Sequence, residues 1–293
     1  MEIPSDVQDC VAFLGFDPKK ADDPDPADIE VYGTAFFVIR DSQLRPSAGH
    51  VYLITAKHVI DDLAHRGYYH VFVRLNMAES AATWYGTKVS EWVLHPNDSL
   101  ADVAVFPFTR RVFDHSDQRL FPIKDAATQE VLSAWAVGVG EELFFPGLFY
   151  RHYGRERNLP IVRTGTIAGM PSEKLRVRDG LIDAYLVEAR SIGGLSGSPV
   201  FVRLDSRKAS EHFTRRVITR PTPFYGLLGL IRGHYEEELA LDSPRVEALN
   251  MGIGIVVPVE KIIETILHPE LVEKYNEVEL VLAAELPPEP TVE

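Results

Sequence analysis

VYGTAFFVIR (residues 31–40) and VYLITAKHVI (51–60) are apolar runs rich in Val, Ile, Phe, Tyr and Thr, parted by a polar stretch with Ser, Pro and Gly. Such runs predict β-strands, because β-branched and aromatic side chains fit a pleated surface and turn formers interrupt it. Outward from this pair the pattern repeats. YYHVFVRL (68–75), WYGTKVSEWVLH (84–95) and ADVAVFPF (101–108) follow. After the more polar residues 109–130 comes a second series: LFFPGLFY, IVRTGTIAGM, AYLVEAR, SPVFVRL, RRVITR, YGLLGLIRGHY and MGIGIVVPV. Many short strands without long alternating helices predict an all-β protein, as a barrel or a sandwich.

Two segments read as helical. AKHVIDDLAHRG predicts a short helix after Ala56, and VEKIIETILHPELVEKY (259–275) places Ile262, Ile263, Ile266 and Leu267 on one face after Pro258. The first thirty residues carry DPKKADDPDPADIE, whose prolines and aspartates suit neither a helix nor a central strand. The ending AAELPPEPTVE, acidic and Pro-rich, reads as disordered.

The chain has 293 residues, 45% hydrophobic and 25% charged, which suits a globular protein with a sizeable core. Cys10 is its single cysteine, so no internal disulfide can form, and the expectation is a reducing, cytoplasmic setting. The start MEIPSDVQDC shows no secretory pattern, and no run of about 18 apolar residues suggests a membrane span. A net charge of −13 speaks against nonspecific nucleic-acid binding, which needs clustered Lys and Arg.

Three motifs carry chemistry, in a definite order: LITAKHVI with His58, LADVAVF with Asp102, and GGLSGSPVF with Ser196. A serine hydroxyl is a poor nucleophile unless a base takes its proton, and histidine titrates near the working pH. A buried carboxylate fixes the histidine tautomer and stabilises the imidazolium. Glycines around Ser196 let the backbone turn so that the Gly194 and Ser196 amides point at one developing oxyanion. Asp98 competes with Asp102 but reads as a turn residue, whereas Asp102 directly precedes the apolar VAVF run. His65 and His70 lack a third ligand at sensible spacing, so no metal site is expected. The basic clusters RHYGRER (151–157) and TRRVITR (214–220) read as solvated loop charges.

These motifs resemble those of the trypsin-like (chymotrypsin-fold) serine peptidases, in particular the disulfide-free bacterial branch with the HtrA-type proteases. GTAFFV, GVGEELFFPG, TGTIAG, GLLGLIRG and GIGIVVPVEKIIETI extend the resemblance over most of residues 31–268. It implies two six-stranded antiparallel β-barrels and a C-terminal helix: an N-terminal acidic extension (1–30), a first barrel (31–140) bearing His58 and Asp102, a second (141–258) bearing Ser196, and a helix with an acidic tail (259–293). By motif match it implies His58 as general base, Asp102 as its orienting acid, Ser196 as nucleophile, and no metal or organic cofactor. The implied substrate is a protein or peptide, paired along a strand at Leu230, Ile231 and Arg232 by β-augmentation. Arg190, six residues before Ser196, falls near the base of the substrate pocket in this family, where it would favour acidic side chains; the alternative has it in solvent. Leu195 stands where many relatives carry an aspartate that pairs with a newly cut N-terminus, which implies no activation by propeptide cleavage. After Glu260 only 33 residues remain, too few for a PDZ domain. The alternative reading is a latent or inactive double barrel serving as a binding or scaffold module, opened by a protein partner in a bacterial response system.

Overall fold

The computed structural model describes residues 3, 5–44, 49–108, 113, 115–189, 194–204, 224–238 and 248–284. After a one-turn helix, α1 (Ser5–Asp9), the first half supplies β1 (Val11–Phe16), β2 (Glu30–Asp41), β3 (Gly49–Thr55), β4 (His70–Leu75), β5 (Thr83–Lys88), β6 (Val93–Leu94), β7 (Ala104–Phe108) and β8 (Phe121–Pro122). They form one sheet in the order β5-β4-β1-β2-β3-β7-β6, with β8 pairing β2 in parallel. Helix α2 (Lys57–His65) follows β3 directly, as the sequence predicts.

The second half forms a closed six-stranded barrel. Its strands are β9 (Glu142–Gly147), β10 (Ile161–Gly169), β13 (Tyr185–Glu188), β14 (Pro199–Leu204), β15 (Phe224–Glu238) and β16 (Ala248–Pro258). A separate hairpin, β11 (Leu175–Val177) with β12 (Gly180–Ile182), projects between β10 and β13.

Three expectations need correction. The first sheet has eight strands rather than six, and among the described residues its ends, β5 and β6, do not pair. The edges are joined instead by the short turn Val89–Glu91 and by a side chain, the Trp92 indole donating to Thr87 Oγ1 at 3.1 Å. Residues 1–30 are not a mere extension, since β1 lies between β2 and β4 with all six residues buried. The boundary near residue 140 also moves. Helix α3 (Gln129–Ala134) and residues Ala127, Trp135 and Val137 pack into the second barrel, and the Ala127 amide bonds to the Leu227 carbonyl.

The barrel wall separates two cores. Leu143, Phe145, Val200, Val202, Leu228, Ile231 and Val256 fill its interior. Their strand neighbours Phe144, Phe201, Leu227, Leu230 and Val257 face outward into the core of the first sheet. The two-residue side-chain period of a strand sends alternate residues to opposite faces, so a strand buried on both reads as a continuous apolar run. At about 25 cal/mol per Å² of apolar surface, burying this shared layer stabilises the contact between the halves.

The predicted helix at 259–275 is broken in two, α4 (Val259–Ile266) and α5 (Pro269–Ala284), because proline cannot continue the hydrogen-bond ladder. Val259, Ile262 and Ile266 are buried against the first core, while Leu267, at the break, is about half exposed. Among the described residues no helix is long and apolar enough to cross a membrane.

Candidate active site

His58 sits in the first turn of α2, whose starting residue Ala56 offers no side-chain cap. Asp102 fills that vacancy from another part of the chain. One carboxylate oxygen accepts from the His58 backbone amide at 2.8 Å, and the other bonds ring Nδ1 at 2.7 Å. One carboxylate thus satisfies an orphan donor of the helix start and fixes the imidazole. Asp102 is 5% exposed, on the irregular residues leading into β7.

The electrostatics follow from this contact. Burial pulls the His58 imidazole down, but the hydrogen bond and charge of Asp102 outweigh it and hold it above the ordinary 6.5. Burial likewise pushes the Asp102 carboxyl up, and the His58 bonds outweigh that and hold it below the ordinary carboxylate value. Asp98, the competing aspartate, accepts from the Leu100 amide in a turn and pairs with Lys261 at 3.2 Å, away from His58.

Ser196 lies in the turn preceding β14. Gly194 and Gly197 have φ of +97° and +84°, the left-handed region that favours glycine. A Cβ on Gly197 would lie 2.2 Å from the Thr34 carbonyl oxygen, so no larger residue fits this turn. Among the described residues nothing accepts a hydrogen bond from the Gly194 or Ser196 amide. The neighbouring Ser198 is fully buried, and its hydroxyl has no partner among the described residues. Leu195 is 1% exposed in the barrel core.

The turn is tied to the first sheet through Thr34, a buried residue of β2 that sequence reading passed over. Its hydroxyl donates to the Gly194 carbonyl at 2.6 Å and accepts from the Leu148 amide at 2.9 Å, and its own amide donates to the Ser196 carbonyl at 3.2 Å. A polar residue opening the apolar GTAFFV run was the available signal, since a buried hydroxyl needs partners. Arg74 was likewise missed. Buried in β4, it binds backbone carbonyls of the 153–157 loop, among them Gly154 at 2.9 Å. Within the same RHYGRER segment Arg157 pairs with Asp117.

The Ser196 turn lies against the end of β3, a Cβ on Gly197 falling 3.1 Å from the Ala56 amide two residues before His58, but no hydrogen bond joins Ser196 to His58. The Ser196 hydroxyl donates to the Arg232 carbonyl at 3.3 Å, and among the described residues His58 Nε2 has no partner. Beside the pair is a cavity of about 460 Å³, lined in part by His58, Asp102, Leu100, Asp179, Arg232 and Gly233.

The expected substrate strand is corrected in part. Leu230 pairs with Pro199 on one side and Val257 on the other, and the Ile231 backbone bonds to Gly197 and Ser198. Both side chains are core residues, so neither has a free edge or a side chain to offer a peptide. At Arg232 the pairing register slips, and β14 does not reach it. Arg190 and the cluster at 214–220 lie outside the described residues. Among those described, no three His, Cys, Asp or Glu side chains gather to hold a metal.

No protein-family model matches the sequence, and no curated protein matches it significantly. Among solved structures, the chain is similar to the MamO protease domain from Magnetospirillum magneticum, at a TM-score of 0.49 and 14% identity over 88% of this chain and 95% of that one. It is similar to Deg5 at a TM-score of 0.47 and 16% identity, over 88% of each chain. It is similar to the Rv3671c protease in an inactive form at a TM-score of 0.44 and 14% identity, over 90% of each chain. At these scores and identities the likenesses assign no role to any residue of this chain.

Proposed function

We propose that the protein is a serine endopeptidase of the trypsin-like kind, with Ser196 as nucleophile, His58 as general base and Asp102 as the residue that orients it. The observation that carries this reading is the two-point grip of Asp102 on His58. It spends Nδ1 and, among the described residues, leaves Nε2 without a partner near a glycine-bounded serine turn whose Gly194 and Ser196 amides have no acceptor there.

In the proposed reaction the Ser196 hydroxyl leaves the Arg232 carbonyl, gives its proton to His58 Nε2 and attacks the scissile carbonyl. The Gly194 and Ser196 amides hold the oxyanion. His58 then protonates the leaving amine, and water, activated by the same imidazole, releases the acyl group from Ser196. An extended protein or peptide substrate would pair with the backbone at Arg232 and Gly233, where β15 passes the end of β14. No metal or organic cofactor enters this scheme, and the single buried thiol, Cys10, suits a cytoplasmic setting.

A second reading, a latent module opened by a protein partner, draws on one observation: the Ser196 proton is directed at Arg232 rather than at His58. A fluorophosphonate probe separates the two. Labelling of the wild type, lost in Ser196→Ala, together with peptide turnover is the expected result. Labelling without turnover would favour latency, and no Ser196-dependent labelling, with or without added partners, would remove the peptidase reading.

A further inference from the structure

Arg232 touches both halves of the candidate site. Its carbonyl accepts the Ser196 proton, while its side chain reaches Asp102, with Nε 3.7 Å from Oδ2. On the other side its Nη2 lies 3.7 Å from Asp179 Oδ2, in the turn between β11 and β12. Both contacts are ion pairs beyond hydrogen-bond length, and Nη1 is buried with no partner among the described residues. Among the described residues its guanidinium is held by charge, not by a fixed fork. Its side chain is 22% exposed and that of Asp179 65%, so the second carboxylate is the more solvent-screened of the pair.

We propose that Arg232 is a positioning residue for the His58–Asp102 pair, its charge divided between Asp102 and Asp179 so that the β11–β12 hairpin sets how much of it faces the imidazole. This rests on the peptidase reading, in which His58 and Asp102 act on Ser196. The other charges near His58 are Lys57 and Asp61, which pair with each other, and Asp62, all on α2. Of these groups Arg232 is a cation that opposes protonation of His58, while Asp102 and Asp62 favour it and Lys57 is paired with Asp61. The Asp179 charge offsets part of that of Arg232 and so strengthens His58 as a base. Without it the full guanidinium charge falls on Asp102 and His58, and the base weakens.

The test is an NMR titration of the His58 ring in the full chain, read without reference to catalysis. Arg232→Met should raise the titration midpoint by roughly half a pH unit, the scale of one partly screened charge at close range. Arg232→Lys should return most of that change, because the charge is kept. Asp179→Asn should move the midpoint the other way, and this exposed substitution also covers the case in which Arg232→Met does not fold. An unmoved midpoint in Arg232→Met or Asp179→Asn, or failure of Arg232→Lys to restore it, overturns the proposal. Midpoints that move as stated in a protein whose Ser196 never labels would support this coupling and remove the peptidase reading.

Discussion

Two histidine–carboxylate pairs of nearly equal length stand at opposite ends of strand β3, one on its second residue and one just beyond its end. His58 Nδ1 lies 2.7 Å from Asp102, and His50 Nε2 lies 2.8 Å from Glu279 on α5. Distance alone does not tell them apart. The difference lies in which ring nitrogen is spent and what stands beyond the other. His50 gives its outer nitrogen to the carboxylate, its ring centre is 4.0 Å from that of Tyr275, and both partners are about 10% exposed. Glu279 is filled further by the Ser42 hydroxyl at 3.0 Å and the Leu44 amide at 3.3 Å, so the group docks a helix. His58 gives its inner nitrogen, its side chain is 40% exposed, and a serine turn lies beside it. A pair becomes a candidate for proton transfer when the carboxylate leaves Nε2 free at a surface that a substrate can reach.

The strongest way to break this comparison is to neutralise each carboxylate in turn. Asp102→Asn would hold the wrong tautomer of His58 and should slow fluorophosphonate labelling of Ser196 by about a thousandfold or more, the scale known for triad aspartates. Glu279→Gln should leave the labelling rate within about twofold of wild type, because that pair touches no part of the candidate site. Second-order labelling constants measure both. Equal losses in the two variants would mean that Asp102, like Glu279, serves only to hold the fold.

What was legible in the sequence divides along the same line. His58, Asp102 and Ser196 stood out as candidates because each sits in a short local context that backbone geometry demands: a helix start after a strand, a polar residue before an apolar run, a glycine-bounded turn. The contacts made across the molecule could not. β1 was hidden because VAFLGF is buried on every residue and so lacks alternation, and because the Asp- and Pro-rich 17–30 stretch follows it. Leu230 and Ile231 looked like a substrate edge, but the apolar run reflects two cores, one on each face of β15. The guanidinium of Arg232 between two aspartates joins positions 130 and 53 residues away in the chain, a juxtaposition no local pattern encodes.

The next effect in size is that of pH on the same labelling reaction. In the proposed reaction His58 must be neutral to accept the Ser196 proton, and Asp102 holds its imidazole above the ordinary 6.5. The labelling rate should therefore fall about tenfold per pH unit well below a midpoint that itself lies above 6.5. The sign for stability is opposite. A histidine raised in the folded state contributes stability below its unfolded value and loses it as pH rises through the folded one. Between those two values the protein should gain activity while losing a little stability. A midpoint below 6.5 would mean that burial and Arg232 outweigh Asp102 at this site.

The smallest effect belongs to the other pair and is read in stability alone. Burial pushes the Glu279 carboxyl up, but the His50, Ser42 and Leu44 hydrogen bonds outweigh it and hold it below the ordinary 4.5. A carboxylate depressed in this way contributes stability above its unfolded value and loses it as pH falls through the folded one. Glu279→Gln keeps the shape and a carbonyl acceptor but gives up the charge-assisted part of three bonds, which should cost about 1 kcal/mol near pH 6. Below the folded value the wild type is itself protonated, so the two proteins should converge. Urea unfolding at a series of pH values measures the gap between them. A gap that stays constant from pH 6 into strong acid would mean that the α5 contact depends on the shape of Glu279 and not on its charge. That would remove the electrostatic likeness between the two pairs and leave only their similar lengths.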